Sequence, residues 1–332
     1  MINPQDTPGV ALLFPGQGSQ AVGMGRALYD TYPAARAVFE EAGQALGFSL
    51  SEIIFRGPEE TLRLTEHTQP AILTVSVAAW RVLEPELAAR KLPVRFAAGH
   101  SLGEFSAYVA AGALTFADAV RTVRARGQFM QTAVPAGEGA MAAILGLNLA
   151  EIETACQSVT AQLLSAAGND NQIVTIANLN SPDQTVISGS REAVEQAAEA
   201  CKQRGAKRAV LLPVSAPFHC PLMMPAQLRL AAWLGQIPLS APRFPVICNV
   251  DALPLTQPEA IRGALIRQVT GAVRWVECMG VLQQNDVTHL IEVGPGKVLT
   301  GLNRQIDRSL STSNVEDPAS LGKTLERLTA PA

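Results

Sequence analysis

Residues 99–103 of this 332-residue chain are Gly-His-Ser-Leu-Gly and could present a serine nucleophile. A short apolar run, residues 96–98, precedes them and an amphipathic stretch follows as far as residue 112, so the pattern predicts a strand, a tight turn and a helix. In such a G-x-S-x-G turn the serine hydroxyl projects at the carboxyl edge of a sheet, and the next backbone N–H, here that of Leu102, faces the same space. An ordinary glycine turn would match the pentapeptide alone, but the flanking elements favour Ser101 as a nucleophile.

An arginine lies within the apolar stripe of the next predicted helix, which runs from about residue 115 to 131. The stripe consists of Phe116, Ala119, Val123 and Met130, and Arg126 falls inside it. No Asp or Glu lies three or four residues away, so the anion that a buried guanidinium needs must come from elsewhere in the fold or from a ligand, and a carboxylate fits its fork best. The alternative is an arginine at the edge of the stripe with its head group in solvent.

The four histidines differ in where the sequence places them. His100 belongs to the serine turn, His67 lies in a polar stretch before a helix, and His289 lies on a predicted apolar strand, where a core histidine is the default. His219 alone is predicted at a boundary between elements, where an imidazole can face a cleft.

A glycine-containing loop, residues 15–20, follows a predicted strand at residues 10–14 and opens a helix. Its spacing fits a dinucleotide-binding G-x-G-x-x-A, but the acid expected about 20 residues further on would be Glu40 or Glu41, which lie in a helical pattern. A nucleotide site is therefore disfavoured, and Gln17 could instead offer its amide or its backbone N–H to a neighbouring site.

The composition indicates a globular protein of about two domains, with 48% apolar and 17% charged residues. A net charge of −3 gives no overall attraction to nucleic acid or anionic membranes. The five cysteines are odd in number and widely spaced, which predicts reduced core residues and no metal site. The first residues lack the features of a signal peptide, and the longest apolar run, 71–80, is far shorter than the roughly 18 residues of a membrane span. We expect a cytoplasmic protein.

Periodicity predicts alternating strands and helices along the chain. Helices are expected over 23–46, 58–64, 70–90, 258–268 and 275–284, strands over 245–250 and 288–293, and a loosely held tail over 309–332. Between residues 139 and 214 the predicted order is β-α-β-β-α-β, that of a ferredoxin-like unit inserted into a larger domain. A basic lip on this unit could bind an acidic partner, although a solvated face is the usual explanation; its residues are Lys202, Arg204, Lys207 and Arg208.

Taken in order, the motifs resemble the malonyl-CoA:acyl carrier protein transacylase family of fatty-acid and polyketide acyltransferases, nearly end to end. The matching segments are residues 14–20, 99–104, 126–131, 139–144, 180–182, 219–220 and 292–299. The resemblance implies an α/β fold with an α/β-hydrolase-like catalytic domain, residues 1–135 and 213–332, and a ferredoxin-like subdomain, residues 136–212. It also implies transfer of malonyl from malonyl-CoA to acyl carrier protein through a malonyl-serine intermediate. We further expect a monomer that uses no cofactor or metal and binds neither nucleic acid nor membrane.

The resemblance further implies a role for several residues. Ser101 corresponds to the nucleophile, His219 to its base, the backbone N–H groups of Gln17 and Leu102 to the oxyanion hole, and Arg126 to the clamp for the malonyl carboxylate.

Two more positions complete the expected site. Gln268 lies where the family orients its histidine through a backbone carbonyl. Phe218 stands where fatty-acid enzymes often have Ser and resembles malonyl-specific polyketide acyltransferases, which leaves the choice between the two pathways open.

Two other functions are compatible with parts of the sequence. A serine esterase of the α/β-hydrolase class would use the order Ser, acid, His, which here requires His289 with Asp251 or Asp286. A non-catalytic module that binds a carrier protein would need neither Ser101 nor Arg126, and is disfavoured for that reason.

Overall fold

Two β-sheets organise the α/β fold in the computed structural model, which describes residues 9–167, 171–214, 216–285, 287 and 289–329. The strands are β1 (Val10–Phe14), β2 (Val94–Gly99), β3 (Gly139–Leu145), β4 (Val174–Ser181), β5 (Gln184–Ser190), β6 (Arg208–Leu211), β7 (Val246–Ile247), β8 (Pro254–Leu255), β9 (His289–Val293) and β10 (Ser311–Val315).

The larger sheet has six strands in the order β10-β9-β1-β2-β7-β8. The strands from β10 to β7 are parallel, and β8 pairs antiparallel with β7. Every residue of β1 is buried, as is typical of a central strand with helices on both faces of the sheet. Because Phe14 at the end of β1 lies opposite Gly99 at the end of β2, the loops that follow these two strands meet at one edge of the sheet.

Fourteen α-helices and one short 3₁₀ helix, Pro221–Met223, are found in the described ranges. The α-helices are α1 (Arg26–Thr31), α2 (Pro33–Leu46), α3 (Leu50–Arg56), α4 (Glu59–Arg63), α5 (Thr65–Ala89), α6 (Gly103–Ala110), α7 (Phe116–Gln131), α8 (Leu149–Ala167), α9 (Arg191–Gln203), α10 (Met224–Leu234), α11 (Pro258–Arg267), α12 (Trp275–Gln284), α13 (Val298–Ile306) and α14 (Pro318–Thr329).

The longest helix, α5, passes through the core and packs against α2 and α7. Residues 68–80 are buried on every face, which a helix surrounded by other elements requires. The predicted start at Pro70 is wrong, because the helix begins at Thr65 and includes His67.

Two further predictions about the helical parts are also wrong. The single helix predicted over 23–46 is two helices separated by Tyr32, which is extended because the following Pro33 disfavours a helical conformation before it. The predicted loose tail contains β10, which pairs with β9, and α14, which packs on β10.

The smaller sheet is antiparallel and has the order β4-β5-β3-β6. The order β3-α8-β4-β5-α9-β6 confirms the sequence of strands and helices predicted for this segment, except that its last strand ends at Leu211 rather than at residue 214. The apolar faces of α8 and α9 form one cluster with the strands of this sheet.

Hydrogen bonds attach the smaller sheet to the rest of the chain beside the serine turn. Backbone bonds join Leu179 N to Val273 O (2.9 Å) and Val273 N to Ala177 O (2.8 Å). The His100 Nε2 atom lies 2.8 Å from Asn180 Oδ1. The residue before Ser101 therefore contacts both parts of the structure.

Two glycines allow the serine turn to close tightly on itself and to lie close to β1. A Cβ atom on Gly103 would lie 2.0 Å from the Phe14 carbonyl oxygen, and one on Gly99 would lie 1.9 Å from the carbonyl carbon of Gly103. No side chain can be placed at such distances without moving the backbone.

We therefore expect Gly103→Ala to lower the free energy of unfolding by about 1–3 kcal/mol, because the backbone must shift to relieve the overlap. The matched control is Gly280→Ala on α12, where an added Cβ would meet nothing within 4 Å. That control should stabilise the protein by about 0.5–1 kcal/mol through helix propensity. Urea unfolding measures both, and equal midpoints for wild type and Gly103→Ala would contradict the close contact.

Candidate active site

Ser101 lies between the end of β2 and the start of α6, in a left-handed backbone conformation with φ +51°. This conformation is uncommon for residues other than glycine and is stabilised here by tertiary contacts. The Asn249 side chain accepts from Ser101 N at 2.7 Å and donates to Gly99 O at 2.7 Å. One side chain therefore holds the backbone on both sides of the turn.

The hydroxyl of Ser101 lies 2.7 Å from Nε2 of His219. The other ring nitrogen, Nδ1, lies 2.9 Å from Gln268 O and 3.1 Å from Gly271 O. Because carbonyl oxygens only accept hydrogen bonds, Nδ1 carries the proton and Nε2 presents its lone pair to the serine hydroxyl. This is the tautomer that a general base for Ser101 requires.

The environment of His219 favours the neutral ring. The residue is 4% exposed. Burial, assisted by the positive charge of Arg126, lowers the pKa of His219 to about 3. The imidazole is therefore an unprotonated base at neutral pH.

Arg126 is 2% exposed and contacts three neutral groups. Nη1 donates to Gln69 Oε1 at 2.8 Å, and Nη2 donates to Gln268 Oε1 at 2.9 Å and to Ser101 Oγ at 3.1 Å. Burial lowers its pKa to about 10, so the guanidinium is still charged at neutral pH. The group therefore presents a positive charge at the serine hydroxyl with no carboxylate in direct contact.

A pocket of about 110 Å³ surrounds these groups. Its apolar wall combines one residue of α7, one of β3 and three from the connection that follows β6: Met130, Met141, Leu212, Val214 and Phe218. Phe218 is 7% exposed and directly precedes His219. A larger groove of about 810 Å³ shares no lining residue with this pocket.

Gln17 and Leu102 also line the pocket. In the part of the chain that the structure describes, their backbone N–H groups donate to no protein acceptor. Gly16 permits this arrangement, because a Cβ atom there would lie 2.3 Å from the carbonyl oxygen of His100. The site thus contains two unpaired donors near the serine, as an oxyanion hole requires.

Three site residues were missed by the sequence analysis: Gln69, Asn249 and Glu104. Asn249 lies inside the strand predicted over 245–250, but that prediction is too long: β7 ends at Ile247, so Asn249 follows the strand at the edge where β2 also ends. Glu104 is an acid within a fully buried helix, where its charge needs a partner, and it accepts from Asn249 N and Gln268 Nε2. Gln69 gave no comparable signal.

The arrangement expected for a serine esterase is not assembled around Ser101. His289 Nε2 lies 3.1 Å from Ser313 Oγ, and Asp251 forms an ion pair with Arg267. The other candidate acid, Asp286, lies outside the described residues.

Two of the four residues of the basic lip form ordinary ion pairs at the protein surface. Lys202 pairs with Glu199 at 3.3 Å and Arg204 with Glu151 at 2.9 Å, all of them at least a third exposed. Binding of a partner at this lip stays a prediction.

The described ranges contain no group of three or more His, Cys, Asp or Glu side chains that could hold a metal ion. Among the helices in those ranges, none has the length and apolar character needed to cross a membrane.

Comparison with known proteins gives consistent matches over nearly the whole chain. Residues 11–328 match the model of the acyl transferase domain family. The chain is 50% identical over 315 residues to the malonyl CoA-acyl carrier protein transacylase of Salmonella typhimurium, covering 95% of this chain and 98% of that relative. It is 48% identical over 319 residues to the enzyme of the same name from Bacillus subtilis, covering 96% and 97%.

Solved structures agree with these matches. The malonyl CoA-acyl carrier protein transacylase of Coxiella burnetii superposes with a TM-score of 0.91 at 44% identity, covering 98% of this chain and 99% of that one. A malonyl-transacylase in complex with its type II polyketide acyl-carrier protein superposes with a TM-score of 0.89 at 46% identity, covering 96% and 99%.

The protonation state of His219 can be tested directly. Because burial and Arg126 disfavour the imidazolium, we expect its ring ¹⁵N shifts to report a neutral Nδ1–H tautomer from pH 8 down to pH 5. Long-range ¹H–¹⁵N spectra of histidine-labelled protein measure this, and the spectrum of His219→Asn assigns the signal. A titration of that signal with a midpoint near 6.5 would contradict the deduced environment.

Proposed function

The chain belongs to the acyl transferase domain family, and from this we propose that it transfers malonyl from malonyl-CoA to the phosphopantetheine thiol of acyl carrier protein, in fatty acid or polyketide biosynthesis. It is an [acyl-carrier-protein] S-malonyltransferase. The main support for the roles proposed for the site residues is the position of the Ser101 hydroxyl, which lies 2.7 Å from His219 Nε2 and 3.1 Å from Arg126 Nη2.

The proposed architecture assigns the chemistry to one discontinuous domain. Residues 1–135 and 213–332 form an α/β-hydrolase-like catalytic domain, and residues 136–212 form a ferredoxin-like subdomain. The strand order of each sheet supports this division, since the larger sheet draws only on residues before 135 and after 213.

In the first step His219 takes the proton of Ser101 while Oγ attacks the thioester carbonyl of malonyl-CoA. The backbone N–H groups of Gln17 and Leu102 stabilise the tetrahedral oxyanion, by about 3–4 kcal/mol for each donor. Collapse breaks the C–S bond, His219 returns its proton to the leaving sulfur, and coenzyme A departs. A malonyl ester on Ser101 remains.

The second step reverses the first with a different thiol. The pantetheine thiol of acyl carrier protein gives its proton to His219 and attacks the ester carbonyl, and Ser101 leaves with that proton. Water must be kept from the ester between the two steps, and the small, partly apolar pocket limits its access.

Arg126 supplies selectivity for malonyl. Its guanidinium replaces the bond to Ser101 Oγ with a bidentate contact to the free carboxylate, which a neutral acetyl group cannot offer. Gln268 orients His219 through its backbone carbonyl and Arg126 through its side chain. Phe218 fills space that an α-methyl branch would need and favours malonyl over methylmalonyl.

Both steps exchange an acyl group between a thiol and a hydroxyl, so the substrates supply all the reacting groups. We expect the protein to work as a cytoplasmic monomer without a cofactor.

The covalent intermediate provides the first test. Incubation with malonyl-CoA should add about 86 Da, one malonyl ester, per chain in intact-mass spectra. Ser101→Ala should show no adduct, whereas Ser106→Ala, which removes another buried hydroxyl on α6, should keep it. An adduct on Ser101→Ala would exclude Ser101 as the nucleophile. Adduct decay equally fast with and without acyl carrier protein would favour a thioesterase.

Substrate selectivity provides the second test. Arg126→Ala should lower the ratio of kcat/KM for malonyl-CoA to that for acetyl-CoA by about 100-fold, the value of a charge-assisted hydrogen bond pair. Arg121→Ala, on the same helix but about half exposed, is the control and should leave the ratio unchanged. An unchanged ratio for Arg126→Ala would refute the clamp.

A further inference from the structure

Glu104 is a fully buried carboxylate in the first turn of α6, three residues after Ser101. Its Oε2 accepts from Asn249 N at 2.9 Å and from Gln268 Nε2 at 2.7 Å. The nearby Tyr108 hydroxyl favours the ionised form of the carboxyl group. Neither that hydroxyl nor Glu104 Oε1, however, makes a hydrogen bond of normal geometry to a described residue. Oε1 is therefore an oxygen that could receive a proton.

Among the described residues, Arg126 is the one charged group whose charge shifts the pKa of Glu104, and it favours the ionised carboxylate. The titratable groups around Glu104 are Tyr108 on α6, Arg126 on α7, Cys248 after β7 and Cys278 on α12. Burial raises the pKa of Cys248 to about 11 and those of Tyr108 and Cys278 well above their usual values. These three groups are neutral near pH 7, so the ionised form of Glu104 is the counter-charge of Arg126 among the described residues.

Gln268 connects the two charges. Its Nε2 donates to Glu104, and its Oε1 accepts from Arg126 Nη2. A malonyl carboxylate on the guanidinium would therefore place two negative groups beside one positive group in a buried site. Such a site disfavours the second negative charge. Burial already raises the pKa of Glu104 to about 7, so this residue is the one that gives up its charge.

We propose that Glu104 is an exchangeable counter-charge for Arg126, which takes up one proton from solvent when the malonyl carboxylate engages the guanidinium. The inference rests on the proposed function. The proton adds to Oε1 and returns to solvent when transfer to the carrier empties the pocket, and no other bond in the chain changes. Glu104 touches no reacting atom and acts through Arg126 and Gln268, so it is a positioning residue.

Proton uptake by Glu104 on binding makes the KM for malonyl-CoA depend on pH. If binding takes up a proton, malonyl-CoA binds less tightly as pH rises through the pKa that Glu104 has in the unliganded protein. The KM of wild type should therefore increase between pH 6 and 8.5, by at most about tenfold per pH unit. Glu104→Gln should have a KM that is independent of pH over this interval.

Proton uptake during loading is the direct test. Exchange of the acyl group between a thioester and a hydroxyl consumes no net proton, so uptake reports a change in the protein. A pH indicator in weakly buffered solution at pH 7.5 should record roughly 0.5–1 proton per malonyl-serine formed by wild type. Acetyl-CoA, which brings no carboxylate, should cause no uptake for each acetyl-serine that the same wild-type protein forms, as counted by intact mass.

Two variants test whether proton uptake requires the carboxylate of Glu104 in particular or would follow from any buried carboxylate. Glu104→Gln keeps an oxygen that can accept from both Asn249 N and Gln268 Nε2, so it should load malonyl without taking up a proton. Glu292→Gln removes an equally buried carboxylate that accepts from the N–H groups of Leu299 and Thr300 at the start of α13, and should match wild type.

The outcomes distinguish this proposal from the function on which it rests. Uptake equal in Glu104→Gln and wild type, or an adduct on wild type without any uptake, would overturn the proposal and leave malonyl transfer intact. Failure of wild type to form the adduct would overturn the proposed function itself. If Glu104→Gln does not fold, the comparison of malonyl-CoA with acetyl-CoA on wild type still decides.

Discussion

A guanidinium buried with only neutral groups in direct contact is the constraint around which this site is built. Arg126 is held by Gln69 from α5, by Gln268 after α11 and by the hydroxyl of Ser101. None of these partners cancels its charge, and burial without a carboxylate in contact is costly. A ligand that brings its own carboxylate offsets this charge, and the proposed role of Arg126 as the clamp that selects malonyl and holds it beside the serine rests on that requirement.

The reactive geometry depends on close backbone contacts as much as on the functional side chains. Gly103 lets the turn approach β1, and Gly99 lets the turn close on Gly103. The Asn249 side chain holds the turn from both sides. His219 also has a left-handed backbone, with φ +60°, and its ring is fixed by carbonyl oxygens rather than by a carboxylate. Burial and the charge of Arg126 keep the imidazole neutral, so Nε2 has a lone pair available for the serine proton.

The sequence predicted the features that depend on residues close together in the chain. The period of α7 placed Arg126 on a buried face, and the glycines around Ser101 predicted a sharp turn. The polar sequence of β10, by contrast, has no strand signal, because its conformation is imposed by pairing with β9. Gln69, Asn249 and Glu104 were missed for a related reason: each acquires its role from side chains brought together by folding, up to 164 positions apart in the chain for Glu104 and Gln268.

The central claim is that one guanidinium and one serine hydroxyl hold the two ends of the same malonyl group. A crystal structure of the malonyl-loaded protein, trapped without acyl carrier protein, tests it most directly. The account predicts an ester on Ser101 Oγ, its carbonyl oxygen facing the N–H groups of Gln17 and Leu102, and the free carboxylate within hydrogen-bond distance of both Nη atoms of Arg126. A malonyl carboxylate that points into solvent, with Arg126 still bonded to Gln69 and Gln268 alone, would contradict it.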